Sequence, residues 1–366
     1  MTATLAVTSW SAVSAFGIGG QAFSEGITSG RTALRAVQEG TPTDPVELDG
    51  SVPGFDLRQV LGRKNTRSMD RVTGLTVATV GRLLDGERGA GHELDGADTG
   101  LVLGTTTGSV QSMMDFSRDS FTQDKPYLVD PARFPNAVMN CAAGQSAIWH
   151  GLRGPNTTIA SGQAAGLSAL RYAARLQRSR HARSVLVGAV EELTPQRRWL
   201  ERQRRERDTA VPLGEGCAIF RLESAEDAAA GGRPALAYLA ATAFRVYGNA
   251  ADIPGAVADC ASSVLKAAGA SATDIWLVVG DLSAATGAGL TEVIGDDARR
   301  VGLVTTIGDT GAASAALQVA ALLSYAAVEP AAGARLALVV SVDRDGLAGI
   351  AAFRLPSQHQ PSRHQG

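Results

Sequence analysis

Apolar and polar residues follow one another along this chain in a pattern that predicts strands followed by helices. Short apolar runs rich in Val, Ile and Leu are typical of buried strands, and they occur at residues 100–104, 184–190, 275–279, 335–342 and 349–355. Apolar residues three and four positions apart predict helices after residue 71 and over residues 253–268. We therefore predict an α/β fold.

The stretch 157–170 predicts a buried strand, a sharp turn and a helix. It opens with Thr157, Thr158 and Ile159, passes through small residues and continues as an Ala/Leu-rich helical pattern. Such an elbow projects one side chain at a helix N-terminus, where unpaired N–H groups favour negative charge. Enzymes commonly place Ser or Cys there, but this chain has Gln163, whose carboxamide is neither a nucleophile nor a useful base. A plain Gly/Ala-rich helix start is the alternative interpretation.

The same pattern returns at residues 305–317, again beginning with a Thr-Thr-Ile triplet that predicts a strand. One strand–turn–helix in each part of the chain indicates an internally duplicated α/β fold. We place one half at residues 1–223 and the other at residues 235–355. The polar tail, residues 356–366, is predicted to be disordered.

Composition limits the class of protein. Apolar residues make up 45% and charged residues 19% of the 366 residues, which indicates a globular chain. The formal net charge of −2 gives no reason to expect nucleic acid or a membrane as a partner. Three widely spaced cysteines predict a reduced, cytoplasmic protein. We expect no cofactor, since a G-x-G-x-x-A match at residues 17–22 lacks the acidic residue of a nucleotide site. We also expect no metal, since the two histidines of the C-terminal segment lack the surroundings of a ligand set.

Two further patterns are candidates for binding. The helix predicted after residue 108 carries Val110, Met113, Met114 and Ser117 on one face. That face is core by default; if it lines a cavity, its side-chain sizes set the depth. The other pattern is an arginine-rich segment, either a solvated helix or a docking patch for an acidic partner. Its candidate residues are Arg197, Arg198, Arg202, Arg204 and Arg205.

The chain resembles the β-ketoacyl synthase branch of the thiolase-fold family over nearly its whole length apart from the tail. The matching pieces are Met69–Arg71, Gly104–Gly108, Phe134–Asn136, Asn140–Gln145, Gly154–Asn156, the elbow and Gly214–Gly216. The resemblance implies a thiolase-like fold, with two duplicated halves in a layered α-β-α-β-α architecture. Ketosynthases carry a Cys-His-His triad, and by pattern these positions fall on Gln163, Asp281 and Asp309. The resemblance therefore implies no catalysis by this chain on its own.

A ketosynthase-like chain with Gln at the elbow is similar to the chain length factor of a bacterial type II polyketide synthase. That resemblance implies a heterodimer with an active Cys-His-His ketosynthase, an acyl carrier protein as second partner, and a tunnel at the shared interface for the growing polyketide chain. It makes Val110, Met113, Met114 and Ser117 the candidates for the chain-length gate. Val110 and Ser117 are smaller than the Phe residues common at the ends of this face in aromatic-pathway chain length factors, which implies a deeper or differently shaped pocket. The shorter chain and a degenerate glycine-rich segment, residues 345–349, favour a reducing or polyene pathway.

Two alternatives stay open at this point. Ketosynthase relatives with Gln at the elbow can decarboxylate malonyl-carrier protein to prime a chain, although their histidines are replaced here by Asp281 and Asp309. The chain can also be a homodimeric scaffold without a ketosynthase partner. Under the favoured interpretation the Gln163 amide either hydrogen-bonds across the subunit interface and holds the elbow, or fills space.

Overall fold

Both halves of the protein contain strands. The computed structural model describes residues 4–37, 48–204, 211–329 and 335–356, which contain thirteen strands. They are β1 (Leu5–Ser14), β2 (Gly17–Ile18), β3 (Arg35–Ala36), β4 (Leu48–Asp49), β5 (Thr99–Thr105), β6 (Asn156–Ala160), β7 (Ser184–Glu191), β8 (Gly216–Ser224), β9 (Ala237–Val246), β10 (Ile275–Gly280), β11 (Arg299–Val301), β12 (Leu336–Asp343) and β13 (Leu347–Arg354). The five apolar runs that predicted strands all lie in strands, with ends that move by one or two residues. Of the predicted tail, residues 356–366, all but the first residue lie outside the described part.

The same residues contain twelve α-helices. They are α1 (Gly20–Thr28), α2 (Leu57–Leu61), α3 (Arg71–Gly89), α4 (Val110–Thr122), α5 (Cys141–His150), α6 (Ala165–Arg178), α7 (Pro195–Arg204), α8 (Ala225–Ala230), α9 (Ile253–Ala268), α10 (Ala284–Ile294), α11 (Val304–Ile307) and α12 (Ser314–Val328). The helix predicted over residues 253–268 is confirmed as α9. Side chains of Asp70 and Ser109 cap α3 and α4 by accepting backbone N–H groups of their first turns.

The order of the strands repeats in the two halves. In the N-terminal half β6, β5 and β7 are parallel, and β8 and β1 follow antiparallel. In the C-terminal half β11, β10 and β12 are parallel, and β13 and β9 follow antiparallel. The half-sheets join where β1 pairs with β9 at Leu5–Leu239 and Val7–Ala237. The predicted duplication is confirmed by this topology.

Helices cover both half-sheets and also fill the space between them. The central helices α6 and α12 pack against strands of both halves, α3 and α5 cover the outside of the first, and α9 and α10 cover the second. Leu167 and Leu317 are fully buried in the central layer. At Gly166 a Cβ atom would lie 2.9 Å from the backbone nitrogen of Ala316, so glycine lets the central helices approach closely. The layers are therefore α-β-α-β-α, as predicted.

One detail of the second half differs from the sequence prediction. The triplet Thr305–Ile307 is part of the short helix α11, so the strand predicted there is wrong. Its backbone is held locally, because the N–H groups of Thr306 and Ile307 both donate to Leu303 O at 2.9 Å. Within the described residues, the stretch Gly311–Val328 is long and apolar enough to cross a membrane, but 72% of it is buried inside the protein. It consists of a 3₁₀ turn followed by α12, the central core helix of this half.

Candidate functional site

The predicted elbow lies between β6 and α6. Its turn, Gly162–Ala164, is a 3₁₀ helix that begins at Gly162 with φ of +52°. A Cβ atom at this position would collide with the carboxylate of Asp343, so both the backbone angle and the space require glycine. The backbone N–H of Gln163 donates to Asp343 Oδ1 at 2.9 Å. The first half of the chain thus forms the turn, and the second half supplies the group that caps it.

The second elbow mirrors the first. It is the 3₁₀ turn Gly311–Ala313, and Gly311 has φ of +51°. The backbone N–H of Ala312 donates to Glu191 Oε2 at 3.2 Å. Glu191 ends β7 and Asp343 ends β12, the corresponding strand of the other half. Each half therefore caps the elbow of the other with a carboxylate.

The side chain of Gln163 is paired within the chain. Its Nε2 donates to Asp309 Oδ1 at 3.2 Å, and the same oxygen accepts the N–H of Gly311 at 2.9 Å. Arg344 lies 3.6 Å from the other carboxylate oxygen of Asp309. Within the chain, the carboxamide nitrogen is therefore paired with Asp309, and a hydrogen bond of Gln163 across a subunit interface stays a prediction.

The three residues at the triad positions line one cavity. Gln163, Asp281 and Asp309 face a space of about 950 Å³ that also borders Arg344. Asp281 is half-buried, and its Oδ1 accepts the backbone N–H of Ser283 at 2.8 Å. Among the described residues that line this cavity there is no Cys, His or Lys. The arrangement offers neither a thiol nucleophile nor an imidazole to stabilise developing negative charge.

The α4 face divides into an inner and an outer part. Val110 is 2% exposed and lines a smaller cavity of about 160 Å³ beside Gln163 and Leu200. Met113 is 36% exposed, Met114 is half-buried and Ser117 is exposed. Only Val110 is a core residue, so this helix does not bury the whole face as an ordinary core helix would.

Large apolar side chains are exposed around α4 and α5. Phe121 at the end of α4 is 87% exposed and Ile148 on α5 is 78% exposed. The other members of this surface, which we call the apolar face, are Met113, Tyr127, Leu128, Phe134, Val138 and Met139. Helix α5 packs on β6, and among the described strands β6 ends the sheet, with β5 as its neighbour. The apolar face is thus continuous with a sheet edge.

The arginine-rich segment forms α7, and its residues differ in exposure. Arg197 is 4% exposed and donates to the carbonyl groups of Glu192, Gly214 and Asp309, which corrects its prediction as a docking residue. The neighbouring Arg198 forms an ion pair with Asp49. Arg202 and Arg204 are exposed, and Arg205 lies outside the described residues. Two of these carbonyl groups, those of Gly214 and Asp309, belong to other segments of the chain, and the sequence around Arg197 does not reveal them.

Several buried acids near the site were not singled out by sequence reasoning. Glu191 and Glu192 directly follow each other at the end of β7, and burial raises the pKa of both, that of Glu192 to about 8. Glu192 accepts the N–H of Gln111 at 3.1 Å in the first turn of α4. The signal that could have found Glu191 and Asp343 is an acid at the end of the same strand in each half. Among the described residues, no group of three or more His, Cys, Asp or Glu side chains is arranged to hold a metal ion.

Residues 2–228, more than half of the chain, match the family model for the N-terminal domain of beta-ketoacyl synthases. The chain belongs to the β-ketoacyl synthase family. It is 27% identical to 3-oxoacyl-(acyl-carrier-protein) synthase 2 of Vibrio cholerae, over 72% of this chain and 67% of that protein. With the corresponding synthase of Synechocystis it is 28% identical, but the match spans only 44% of that protein and 50% of this chain.

Polyketide proteins are also similar to this chain. A polyketide beta-ketoacyl synthase 2 of Streptomyces virginiae is 33% identical over 40% of this chain and 36% of that protein. The solved ishigamide ketosynthase/chain length factor is 38% identical, with a TM-score of 0.86 over 96% of this chain and 99% of that one. A beta-ketoacyl synthase from Burkholderia phymatum, at 20% identity and a TM-score of 0.82 over 97% of this chain and 100% of that one, shares the fold. The predicted resemblance to the ketosynthase and chain length factor proteins of type II polyketide synthases is confirmed.

Proposed function

We propose that this protein is a non-catalytic chain length factor, which forms a heterodimer with an active ketosynthase and shapes the tunnel that sets polyketide chain length. The observation that carries the proposal is the state of the first elbow. Gln163 replaces a nucleophile there, its amide is bonded to Asp309, and its backbone N–H is bonded to Asp343. The elbow keeps the geometry of a condensing enzyme while its reactive groups are replaced.

The apolar face supports an obligate partner. Its side chains include Phe121 and Ile148, which are mostly exposed in the isolated chain. Obligate interfaces are rich in such residues and bury roughly 2,000–5,000 Å². Edge strand β6 and helix α5 extend the surface, so a ketosynthase subunit of the same fold is the partner that we propose to cover it.

The chain-length gate follows from the position of α4 beside that face. Met113, Met114 and Ser117 lie on the outer part of the helix, where a partner subunit would complete a tunnel wall. Val110 lies further in, beside Gln163 at the end of the same face. Ser117 and Val110 are seven residues apart, which along a helix is about 10 Å. We propose that side-chain volume along this distance limits the growing chain, in a reducing or polyene pathway.

For the carrier protein we propose docking on the exposed part of α7. Arg202 and Arg204 are exposed there, and Trp199 is 55% exposed on the same helix. Arginine side chains suit an acidic partner because their guanidinium groups bind carboxylates and phosphates with several hydrogen bonds. We also propose that these encounters take place in the cytoplasm.

Co-expression with an active Cys-His-His ketosynthase of a type II polyketide synthase tests the proposal. We expect the two chains to co-purify as one complex. Elongation of the acyl chain on its carrier protein should require the cysteine of the ketosynthase but not Gln163. The isolated chain should release no CO₂ from malonyl-carrier protein. CO₂ release that is abolished by Gln163→Ala would instead identify a decarboxylase. A stable homodimer that does not bind the ketosynthase would identify a scaffold.

A further inference from the structure

The carboxylate of Asp343 lies in front of the first elbow. Its Oδ1 accepts the backbone N–H of Gln163 at 2.9 Å, and its Oδ2 accepts the N–H of Asp345 at 3.2 Å. A free N–H at such a turn is the kind of group that receives the developing oxyanion in acyl transfer. In this chain that group already binds a negative charge supplied by the protein.

Several contacts hold this carboxylate in place. Asp343 is buried at the end of β12, and the hydroxyl of Tyr247 donates to its backbone carbonyl. Ser341 Oγ, two residues earlier, donates to the backbone carbonyl of Gln163 at 2.8 Å. The α-carbon of Gly162 is so close that no side chain would fit between the turn and the carboxylate. Asp343 therefore cannot swing away without breaking the contact between β12 and the elbow.

We propose that Asp343 closes the elbow to thioester substrates. It occupies the N–H group that would bind a carbonyl oxygen, and its charge opposes any anion formed at residue 163. The inference rests on the proposed function and deepens it, because the inactivity of the elbow then has two independent causes, Gln163 and Asp343. Restoring a cysteine alone would not restore a reactive site.

The charge around residue 163 gives this proposal a measurable consequence. Asp309 is also within hydrogen-bond distance of the Gln163 side chain, so the carboxylates nearest to a thiolate placed there would be those of Asp343 and Asp309. The smaller cavity beside Gln163 is also lined by Arg344, Arg197 and Arg204, whose positive charges oppose this effect, and by Glu191, Glu201 and Asp345, whose negative charges add to it. Negative charges at such a short distance from a thiol raise its pKa, by about 1–3 units. Only the thiolate reacts with iodoacetamide, where the sulfur displaces iodide and forms a C–S bond.

The experiment compares three full-length variants: Gln163→Cys, Gln163→Cys with Asp343→Asn, and Gln163→Cys with Asp345→Asn. Alkylation by iodoacetamide is followed at residue 163 by peptide mass spectrometry. We expect Asp343→Asn to raise the rate at neutral pH about ten- to a thousandfold over Gln163→Cys alone. Asp345 is exposed and lies 3.8 Å from Arg204, so its variant should stay within about fivefold. Cys217 and Cys260, whose pKa values burial raises to about 12 and about 11, are slow internal references.

Equal rates for the first two variants would overturn the proposal. If Asp343→Asn does not fold, the pH dependence of Gln163→Cys decides by itself: the thiol must titrate well above the ordinary value of about 8.5, and a pKa at or below that value overturns the proposal. Co-purification of the wild-type chain with its ketosynthase does not depend on this result. The failure of this inference is therefore distinguishable from failure of the proposed function.

Discussion

The guanidinium group of Arg71 binds the carboxylate of Glu215 with two nitrogens, although the residues are 144 positions apart in the chain. Glu215 is fully buried and also accepts the backbone N–H groups of Val52 and Leu193, at 2.8 and 2.9 Å. Arg71 stacks on Phe55 at 5.3 Å. One buried carboxylate thus ties the start of α3, the start of β8 and two loops together beneath the site.

Removal of Arg71 should destabilise the protein strongly. Arg71→Ala leaves a buried carboxylate without its counter-charge, and we expect a loss of about 3–5 kcal/mol in the free energy of unfolding. Arg88→Ala is the matched control, since Arg88 and Asp85 form an exposed pair that contributes about 0–1 kcal/mol. Chemical denaturation of both variants measures the difference. A loss below about 1 kcal/mol for Arg71→Ala would show that Glu215 is satisfied by its backbone donors alone.

Glu192 should make stability depend on pH. Its pKa is raised by burial from 4.5 to about 8, so the folded state holds a proton that the unfolded state loses above pH 4.5. The stabilisation is therefore present below pH 4.5 and is lost as pH rises through about 8. We expect Glu192→Gln, which stays neutral, to unfold at a higher temperature than wild type at pH 8.5 and at a similar one at pH 5. Parallel pH profiles for the two proteins would contradict this.

The hydrogen bond between Gln163 and Asp309 predicts that two substitutions of similar size destabilise the protein with different pH dependence. Gln163→Glu places a carboxylate against Asp309, so its pKa should rise and its cost should grow as pH increases from 4.5 to 7.5. Gln163→Met removes the donor without adding charge, and we expect a pH-independent cost of about 1–3 kcal/mol. Melting temperatures of both variants at the two pH values test this. A constant difference between them would place residue 163 away from Asp309.

Bulk on the α4 face should shorten the product. Ser117→Phe narrows the outer part of the proposed tunnel, and Val110→Phe narrows the inner part at a packing cost of about 1–3 kcal/mol. We expect products shorter by one or more extender units, with the larger effect for Ser117→Phe. Gln111→Phe adds the same bulk elsewhere on the helix and should leave the product unchanged. Intact-mass analysis of the products separates these outcomes, and unchanged chain length for both gate variants would remove α4 as the gate.

Charge reversal on α7 should weaken carrier-protein binding. Arg202→Glu replaces attraction to an acidic partner by repulsion, and we expect about a tenfold loss of affinity that shrinks at high salt. Arg175→Glu, on the exposed side of α6, changes the net charge by the same amount and serves as the control. Fluorescence anisotropy with labelled carrier protein and the purified heterodimer measures both. Equal losses would indicate a general charge effect instead of a docking site.

Local patterns were sufficient for much of the fold and for the central residue of the site. The strand–turn–helix around Gln163 was predictable because β-branched residues, a small-residue turn and an Ala/Leu helix are all local signals. Helix α9 was predicted with its exact ends for the same reason. The repeated triplet was sufficient to predict the duplication even though Thr305–Ile307 is helical, because the same kind of turn and helix follows the triplet in both halves.

The amino-acid sequence by itself determined most of the elements, their duplication, and the presence of Gln163 at the turn where a nucleophile would stand. Only the tertiary structure decided what surrounds that residue: Asp343 meets the elbow from 180 positions away, and Arg197 is drawn into the interior by three carbonyl groups. Periodicity and propensity report on neighbours within a few residues, whereas burial of a charge and the partner of a carboxylate depend on segments that meet only after the layers have packed.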